Sequence, residues 1–194
     1  MEPAGWVGTC VLLIATIICP RRSTDRAGRC TVSYGWRMRI GRPAPSFALP
    51  DQTGTVRTLD ELRAGRRAAL FFYLNSATPV CVAEVGRFRD AAGEFDRLGV
   101  ARIGVSMDTA ARSAALAAAV SPGFPLLSDV DGGVAETYGV RRGRYSVLPV
   151  KRETFVIDTD GTVLHIVVAE LRAVAHVEES LAFLRMLAGQ AKAR

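Results

Sequence analysis

Cys81 is the residue of this sequence whose position most favours chemistry. It comes three residues after Thr78 and two after Pro79, and an apolar run over residues 68–74 precedes them. Thr78 has the hydroxyl of a helix N-cap and Pro79 the fixed φ of a first helical residue, so Cys81 is predicted in the first helical turn. Unpaired backbone N–H groups and the helix dipole stabilise a thiolate there. The pattern therefore predicts a nucleophilic cysteine.

Other interpretations of the chemically capable residues are simpler. A lone cysteine in an apolar protein is often a small buried hydrophobic residue. His165 and His176 have no Cys or His at zinc-ligand spacing, so both are predicted to be ordinary surface or core histidines. Residues 131–133 are predicted as a turn, because they do not form the strand–GxGxxG–helix pattern of a phosphate-binding loop. The sequence therefore predicts no metal site and no cofactor.

Apolar periodicity predicts the elements that position Cys81. The runs at 68–74 and 100–105 are typical of central strands covered on both faces, and a repeat every three or four residues predicts one long helix from Pro79 to Gly99. The other predicted elements are strands at 47–49, 55–58, 124–127, 154–157 and 162–169, helical segments at 60–64, 109–120, 134–138 and 174–187, and a basic loop at 141–149. This order predicts an α/β fold, with an N-terminal hairpin and a mixed central sheet flanked by helices. Cys81 then lies in a βα loop, where chemistry usually occurs.

The positive charge of the chain is concentrated near its beginning. The net charge is +6, and residues 1–43 contain seven arginines against two acidic residues, which leaves +1 for residues 44–194. No run of basic residues with interleaved aromatics follows. A nucleic-acid partner is therefore not expected.

Residues 1–37 form an apolar and then arginine-rich leader, followed by one predicted domain at 38–194. Residues 4–20 are short for a membrane span, which needs about 20 apolar residues, and the flanking charges do not match a secretory signal. Two interpretations stay open. The leader is an anchor that leaves the domain in the cytoplasm, or it is not part of the native structure and the domain begins at Met38. Membrane contact is expected only if the leader is retained.

The remaining cysteines, Cys10, Cys19 and Cys30, all lie in the leader. Cys81 is consequently alone in the predicted domain, which has no disulfide framework of its own. That composition suits a reducing compartment, and a cytoplasmic location is expected.

Residues 41–187 resemble the peroxiredoxins of the alkyl hydroperoxide reductase and thiol-specific antioxidant family, especially the Q-type or bacterioferritin-comigratory class. The family motif is Pro-x-x-x-Thr-x-x-Cys, in this class often with Thr-Pro before the cysteine and Glu three residues after it. Thr78, Pro79, Cys81 and Glu84 match these positions. Further matching stretches follow in order at 44–49, 88–90, 104–108, 124–129, 138–140 and 152–158, the last of which begins with the family's arginine, Arg152.

The resemblance implies a thioredoxin-like fold and a thiol-dependent peroxidase that needs no cofactor. Cys81 would attack hydrogen peroxide or an organic hydroperoxide and become a sulfenic acid. Arg152 would stabilise the thiolate and the charge that develops on the peroxide oxygens. Thr78 would hydrogen-bond the peroxide and the sulfur while its hydroxyl is also a candidate helix cap, and Glu84 would orient Arg152.

Two positions depart from the family pattern. Leu74 stands where the motif has its first proline, and Gly86 stands where the Q-type class has its resolving cysteine. An internal disulfide would need a leader cysteine, of which Cys30 is the best placed, so we expect a one-cysteine cycle resolved by thioredoxin or a low-molecular-weight thiol. Two alternatives are a slow thiol oxidoreductase or redox sensor and a non-catalytic thioredoxin-fold interaction module.

Overall fold

The computed structural model describes residues 22–24, 30–32, 38–143, 146–170 and 172–192. The chain divides into two units, Met1–Trp36 and Arg37–Arg194. In the first unit, strands β1 (Arg22–Thr24) and β2 (Cys30–Val32) pair antiparallel. The predicted apolar stretch at 4–20 lies outside the described residues. Among the residues that are described, no helix is long and apolar enough to cross a membrane.

The second unit contains a mixed five-stranded sheet in the order β7-β6-β5-β8-β9. Strand β5 is central, parallel to β6 and antiparallel to β8, while β7 runs parallel to β6 and β9 antiparallel to β8. The five strands are β5 (Arg67–Phe72), β6 (Val100–Ser106), β7 (Leu126–Ser128), β8 (Glu153–Ile157) and β9 (Val163–Val168). The mixed sheet predicted from the sequence is confirmed.

Helices cover both faces of this sheet, and a separate hairpin of β3 (Ala48–Pro50) and β4 (Val56–Thr58) precedes it. The helices are α1 (Leu59–Arg63), α2 (Pro79–Asp90), α3 (Ala92–Arg97), α4 (Ala110–Val120), α5 (Gly133–Thr137) and α6 (Ala173–Lys192). A capping box between Thr58 and Glu61 starts α1, directly after the hairpin. The architecture is the expected thioredoxin-like arrangement.

Alternate residues of β5 divide the core into two layers, because successive side chains of a strand point to opposite faces. Leu70 and Phe72 belong to the layer beneath α1 and α5, together with Tyr138 and Phe155. Ala69, Phe71 and Tyr73 belong to the other layer, which α2, α3, α4 and α6 cover. Cys81 lies in this second layer.

The prediction of one long helix from Pro79 to Gly99 is wrong in one respect, because the structure has two helices separated at Ala91. Ala91 has φ −84° and ψ 7°, so α2 ends at Asp90 and α3 starts again at Ala92. The apolar repeat continues through the break because Phe88 and Phe95 pack in the same layer, with ring centroids 5.7 Å apart. The predicted end at Gly99 is confirmed by its φ of +66°.

The predicted strand at 124–127 is displaced. Strand β7 begins at Leu126, and Phe124 instead packs its ring edge against Phe71, with centroids 5.8 Å apart. The Pro125 carbonyl accepts the Gly104 N–H at 3.0 Å, which joins this segment to β6 before the strand itself begins. Phe124 is therefore apolar because its ring packs in the core, although it lies outside the strand that the sequence pattern predicted.

We expect the substitution Gly104→Ala to destabilise the protein by about 1–3 kcal/mol through overpacking. An added Cβ would lie 2.9 Å from both Leu126 Cδ2 and Phe71 Cζ. Phe71 has no room to yield, because it is stacked on Phe88 with centroids 4.1 Å apart. Urea unfolding measures the change in the free energy of unfolding.

Gly86→Ala is the matched control. Gly86 lies inside α2, and no described atom outside its own helical turn lies within 4 Å of the place that an added methyl group would take. Alanine should therefore stabilise the helix by about 0.5–1 kcal/mol. Equal effects of the two substitutions would contradict the packing argument.

Candidate active site

The loop that leads to Cys81 is held by two side chains. Strand β5 ends at Phe72, and the Asn75 Oδ1 atom then accepts the N–H groups of Ala77 and Thr78, both at 2.9 Å. An Asp108 carboxylate oxygen, from the end of β6, accepts the Ser76 N–H. Three consecutive backbone N–H groups of the loop, those of residues 76–78, thus have side-chain acceptors, which orients the start of α2.

Thr78 and Pro79 start α2 as predicted, but the Thr78 side chain does not cap it. Thr78 has extended backbone angles at the N-cap, Pro79 is in the first turn, and the Cys81 N–H reaches the Thr78 carbonyl at 3.0 Å. The Thr78 Oγ1 atom donates to the Asn75 carbonyl at 3.5 Å, a long hydrogen bond. The Thr78 hydroxyl was expected to cap the helix and to bind the peroxide and the sulfur. The structure shows that it does not cap the helix.

Cys81 is fully buried in the first turn of α2. It belongs to the same apolar layer as Phe71, Tyr73 and Val85, and it forms no disulfide with any residue whose side chain the structure describes. The simpler interpretation, a buried small residue, therefore agrees with its packing alone. Glu84, one turn further along α2, forms a buried ion pair with Arg152, which lies just before β8.

Glu84 and Arg152 form a buried ion pair one turn along α2 from Cys81. The Arg152 Nη2 and Nε atoms donate to Glu84 Oε2 at 2.6 and 3.1 Å, and Nη1 donates to the Glu170 carbonyl at 2.9 Å. The Arg152 side chain is 1% exposed and the Glu84 side chain 0%. Burial raises the pKa of the Glu84 carboxyl above its ordinary value, while the charge and hydrogen bonds of Arg152 oppose that increase.

The sheet register explains why Arg152 reaches this site from 68 residues away. Strand β8 runs antiparallel to β5, and Glu153 at its start pairs with Phe72 at the end of β5. Arg152 therefore lies at the carboxyl end of β5, where the loop to Cys81 begins. A parallel strand in the same place would bring its last residue there instead of its first.

His176 belongs to the same buried cluster, although the sequence did not identify it as a site residue. Its Nε2 atom is 2.8 Å from the Ala169 carbonyl and 3.7 Å from Glu84 Oε1, and its Nδ1 atom is 2.9 Å from Thr154 Oγ1. Burial lowers the pKa of His176 to about 4. A polar residue among the apolar positions of α6 was the available signal, and it indicated only a core histidine.

His165 has no part in this cluster. It lies on β9 and stacks on Phe183 with ring centroids 4.6 Å apart. Asn75 and Asp108, which fix the loop, were likewise not predicted as site residues. Their roles depend on distances between segments that a sequence pattern does not contain.

The site can support nucleophilic chemistry by a thiol in a place from which water is excluded. A thiolate is the nucleophilic form of cysteine, and a fixed guanidinium beside the same helix stabilises negative charge. A mixed sheet with a buried cysteine in the first helical turn after its central strand is typical of the thioredoxin-like thiol oxidoreductases, which is the class of this protein.

Comparisons with known proteins identify the family. Residues 40–166 match the AhpC/TSA family. Peroxidoxin BcpB from Mycobacterium tuberculosis, a solved structure, is 43% identical, with 77% of this chain and 98% of that chain covered and a TM-score of 0.74. The chloroplastic peroxiredoxin Q of Oryza sativa subsp. japonica is 33% identical over 160 residues, which cover 82% of this chain and 72% of the relative.

A third similar protein is peroxiredoxin Q of Xanthomonas campestris, a solved structure that is 29% identical. The match covers 72% of this chain and 90% of that chain, with a TM-score of 0.66. The chain belongs to the AhpC/TSA family and is a peroxiredoxin, a thiol-dependent peroxidase. The predicted resemblance, including the Q-type class among its relatives, is confirmed.

The buried ion pair yields a stability prediction. Removing either partner, as in Arg152→Met or Glu84→Leu, should destabilise the protein by about 3–5 kcal/mol, because the other charge is left buried and unpaired. The double variant Arg152→Met with Glu84→Leu should lose clearly less free energy of unfolding than the sum of the two single losses, since it leaves neither charge of the pair buried. Urea unfolding of the four proteins measures this coupling.

Arg185→Met is the control, because Arg185 pairs with Glu94 at 2.6 Å on the surface, where its side chain is 57% exposed. Its effect should be much smaller, since solvent screens exposed pairs. Additive losses in the double variant would contradict the pairing argument.

The lowered pKa of His176 yields a prediction on pH. In the unfolded chain this ring gains its proton near pH 6.5, but in the folded protein only near pH 4, so protons favour unfolding between these values. Its contribution to stability should be constant above about pH 7 and decrease by up to about 3 kcal/mol as the pH falls from 6.5 to 4.

Comparison with His176→Gln tests this contribution, because Glu84 and Arg152, the charged groups that act on the ring, are present in both proteins. The free energy of unfolding of the native protein should fall relative to that of the variant as the pH is lowered through this range. Parallel pH curves would show that the folded protein does not hold the ring neutral.

Proposed function

We propose that this peroxiredoxin uses a one-cysteine cycle in which an external thiol resolves oxidised Cys81. The observation that carries the proposal is that Cys81 is the sole cysteine after residue 30, with Gly86 five residues further along α2. Hydrogen peroxide or an organic hydroperoxide is the oxidising substrate. Thioredoxin or a low-molecular-weight thiol is the reductant.

In the first step the Cys81 thiolate attacks one oxygen of the peroxide. An S–O bond forms, the O–O bond breaks, and the leaving oxygen takes a proton and departs as water or an alcohol, so Cys81 becomes a sulfenic acid. In the second step an external thiol attacks the sulfenic sulfur and releases water. A second thiol then reduces the mixed disulfide and returns Cys81 to its thiol form.

Arg152, Thr78 and Glu84 have distinct roles in this proposal. Arg152 stabilises the thiolate and the charge that develops on the peroxide oxygens, and its burial strengthens this effect by excluding water. Thr78 hydrogen-bonds the peroxide through a hydroxyl that does not cap the helix. Glu84 orients Arg152 through the two hydrogen bonds to its Oε2 atom.

A second candidate function is a redox sensor that is oxidised slowly. Leu74 occupies the position of the motif proline and packs against both core layers, and Cys81 is fully buried. Both observations favour slow access of peroxide.

A cycle with a single domain cysteine suits a reducing compartment, and we propose that the protein is located in the cytoplasm.

The test compares three full-length proteins: the native chain, Cys81→Ser, and a variant in which Cys10, Cys19 and Cys30 are all replaced by serine. With hydrogen peroxide and dithiothreitol, we expect the native chain and the triple variant to consume peroxide equally. Cys81→Ser should not exceed the rate without protein. Mass spectrometry should find sulfenic or sulfinic acid on Cys81 when the thiol is omitted.

The outcomes separate the candidates. Turnover by Cys81→Ser would refute the assignment of the nucleophile, and loss of turnover in the triple variant would show that a leader cysteine resolves Cys81. Oxidation of Cys81 without turnover favours the sensor. A Cys81 that peroxide does not oxidise favours a non-catalytic interaction module.

A further inference from the structure

His176 bridges two segments that enclose Arg152. A carbonyl oxygen can only accept, so the Nε2 atom of His176, 2.8 Å from the Ala169 carbonyl, carries the ring proton and donates. Nδ1 is then the acceptor and receives the Thr154 hydroxyl at 2.9 Å. This assignment satisfies both ring nitrogens of a neutral histidine. The ring thus joins β8 to the end of β9 from the first turns of α6.

Both ends of this bridge contact the backbone around Arg152. Thr154 is two residues after Arg152, and the Ala169 N–H donates to the Arg152 carbonyl at 3.4 Å. The next carbonyl, that of Glu170, accepts the Arg152 Nη1 atom at 2.9 Å. A shift of the Ala169 carbonyl would therefore move the acceptor that holds one side of the guanidinium.

The ring also faces the carboxylate that holds the other side of the guanidinium. Glu84 Oε1 is buried without a hydrogen-bond partner among the described residues and lies 3.7 Å from His176 Nε2, whereas Glu84 Oε2 accepts both bonds from Arg152. A neutral ring leaves the carboxylate charge to Arg152 alone. A protonated ring would add a second cation beside Glu84 and weaken its hold on Arg152.

We propose that His176, together with Thr154, is a positioning residue for peroxide reduction, because it holds the Ala169 carbonyl, next to the Glu170 carbonyl that supports Arg152, and lies beside the Glu84 carboxylate without adding a charge. This role rests on the proposed function of Arg152 at Cys81. His176 touches neither the peroxide nor the thiol in this proposal. It acts through the orientation of the guanidinium.

The test measures the second-order rate constant for oxidation of Cys81 by hydrogen peroxide in stopped-flow experiments on the full-length protein. His176→Phe keeps a ring but loses both hydrogen bonds, and we expect a decrease of about 10-fold to 100-fold, the scale of a small misplacement of a catalytic group. Thr154→Val removes only the hydroxyl that bonds His176, and we expect it to lower the rate constant as well. Thr154→Ser should restore it.

His165→Phe is the matched control, since this second histidine stacks on Phe183 outside the cluster. Its rate constant should equal that of the native protein. Urea unfolding of each variant shows whether the protein is folded at the pH of the assay. If His176→Phe does not fold, the comparison of Thr154→Val with Thr154→Ser still tests the bridge.

A double-mutant cycle with Arg152→Lys separates positioning from a general structural role. Lysine cannot reproduce the hydrogen bonds of the guanidinium, so there is no orientation left for His176 to maintain. His176→Phe should then change the rate less than about twofold in the Arg152→Lys background. A full additional decrease in that background would overturn the proposal, as would a native rate in His176→Phe or in Thr154→Val.

Failure of the proposed function gives a different result. In that case peroxide does not oxidise Cys81 in the native protein, and the role of His176 falls with it. A native protein that is rapidly oxidised, with His176→Phe oxidised at the same rate, would refute the positioning role alone.

Discussion

The buried pair of Glu84 and Arg152 is the interaction on which the site depends. Removing two charged side chains from water costs several kcal/mol for each, and their attraction offsets that cost only with good geometry and further hydrogen bonds. Arg152 meets this condition through Glu84 Oε2 and the Glu170 carbonyl, whereas Glu84 Oε1 has no hydrogen-bond partner among the described residues. A replacement by apolar residues of similar volume could match it in stability. The arrangement is therefore better explained by the charge it places beside α2 than by the stability it adds.

The antiparallel pairing of β8 with β5 is the topological feature that makes this pair possible. It brings the first residues of β8 to the edge of the sheet where β5 ends and α2 begins. Glu84 on α2 then meets Arg152 beside β8, and α6, which packs on α2 and β9, supplies His176. Residues from three distant segments converge because the sheet order is β6-β5-β8-β9 across its centre and edge.

Local sequence rules were sufficient for features that short segments determine, such as β5 from its apolar run and the start of α2 from Pro79. The break at Ala91 was missed because both helical segments bury apolar residues in one layer, so the repeat shows no interruption. Glu84 and Arg152 were associated through family resemblance, since no local rule connects residues 68 positions apart. A polar residue such as His176 on an apolar helix face shows that a partner must exist, because an unpaired polar group in a core is costly. Which partner it finds depends on the sheet.

The charge balance of the cluster explains why a neutral histidine suits this place. Arg152 and Glu84 compensate each other, and the ring adds no charge while its two nitrogens are satisfied by Thr154 and Ala169. The guanidinium has five N–H donors, of which three are used by Glu84 and the Glu170 carbonyl. Two donors are therefore not used by any hydrogen bond of the described residues. A second cation in place of the neutral ring would compete with Arg152 for the Glu84 carboxylate, whereas the neutral ring leaves Arg152 anchored to it.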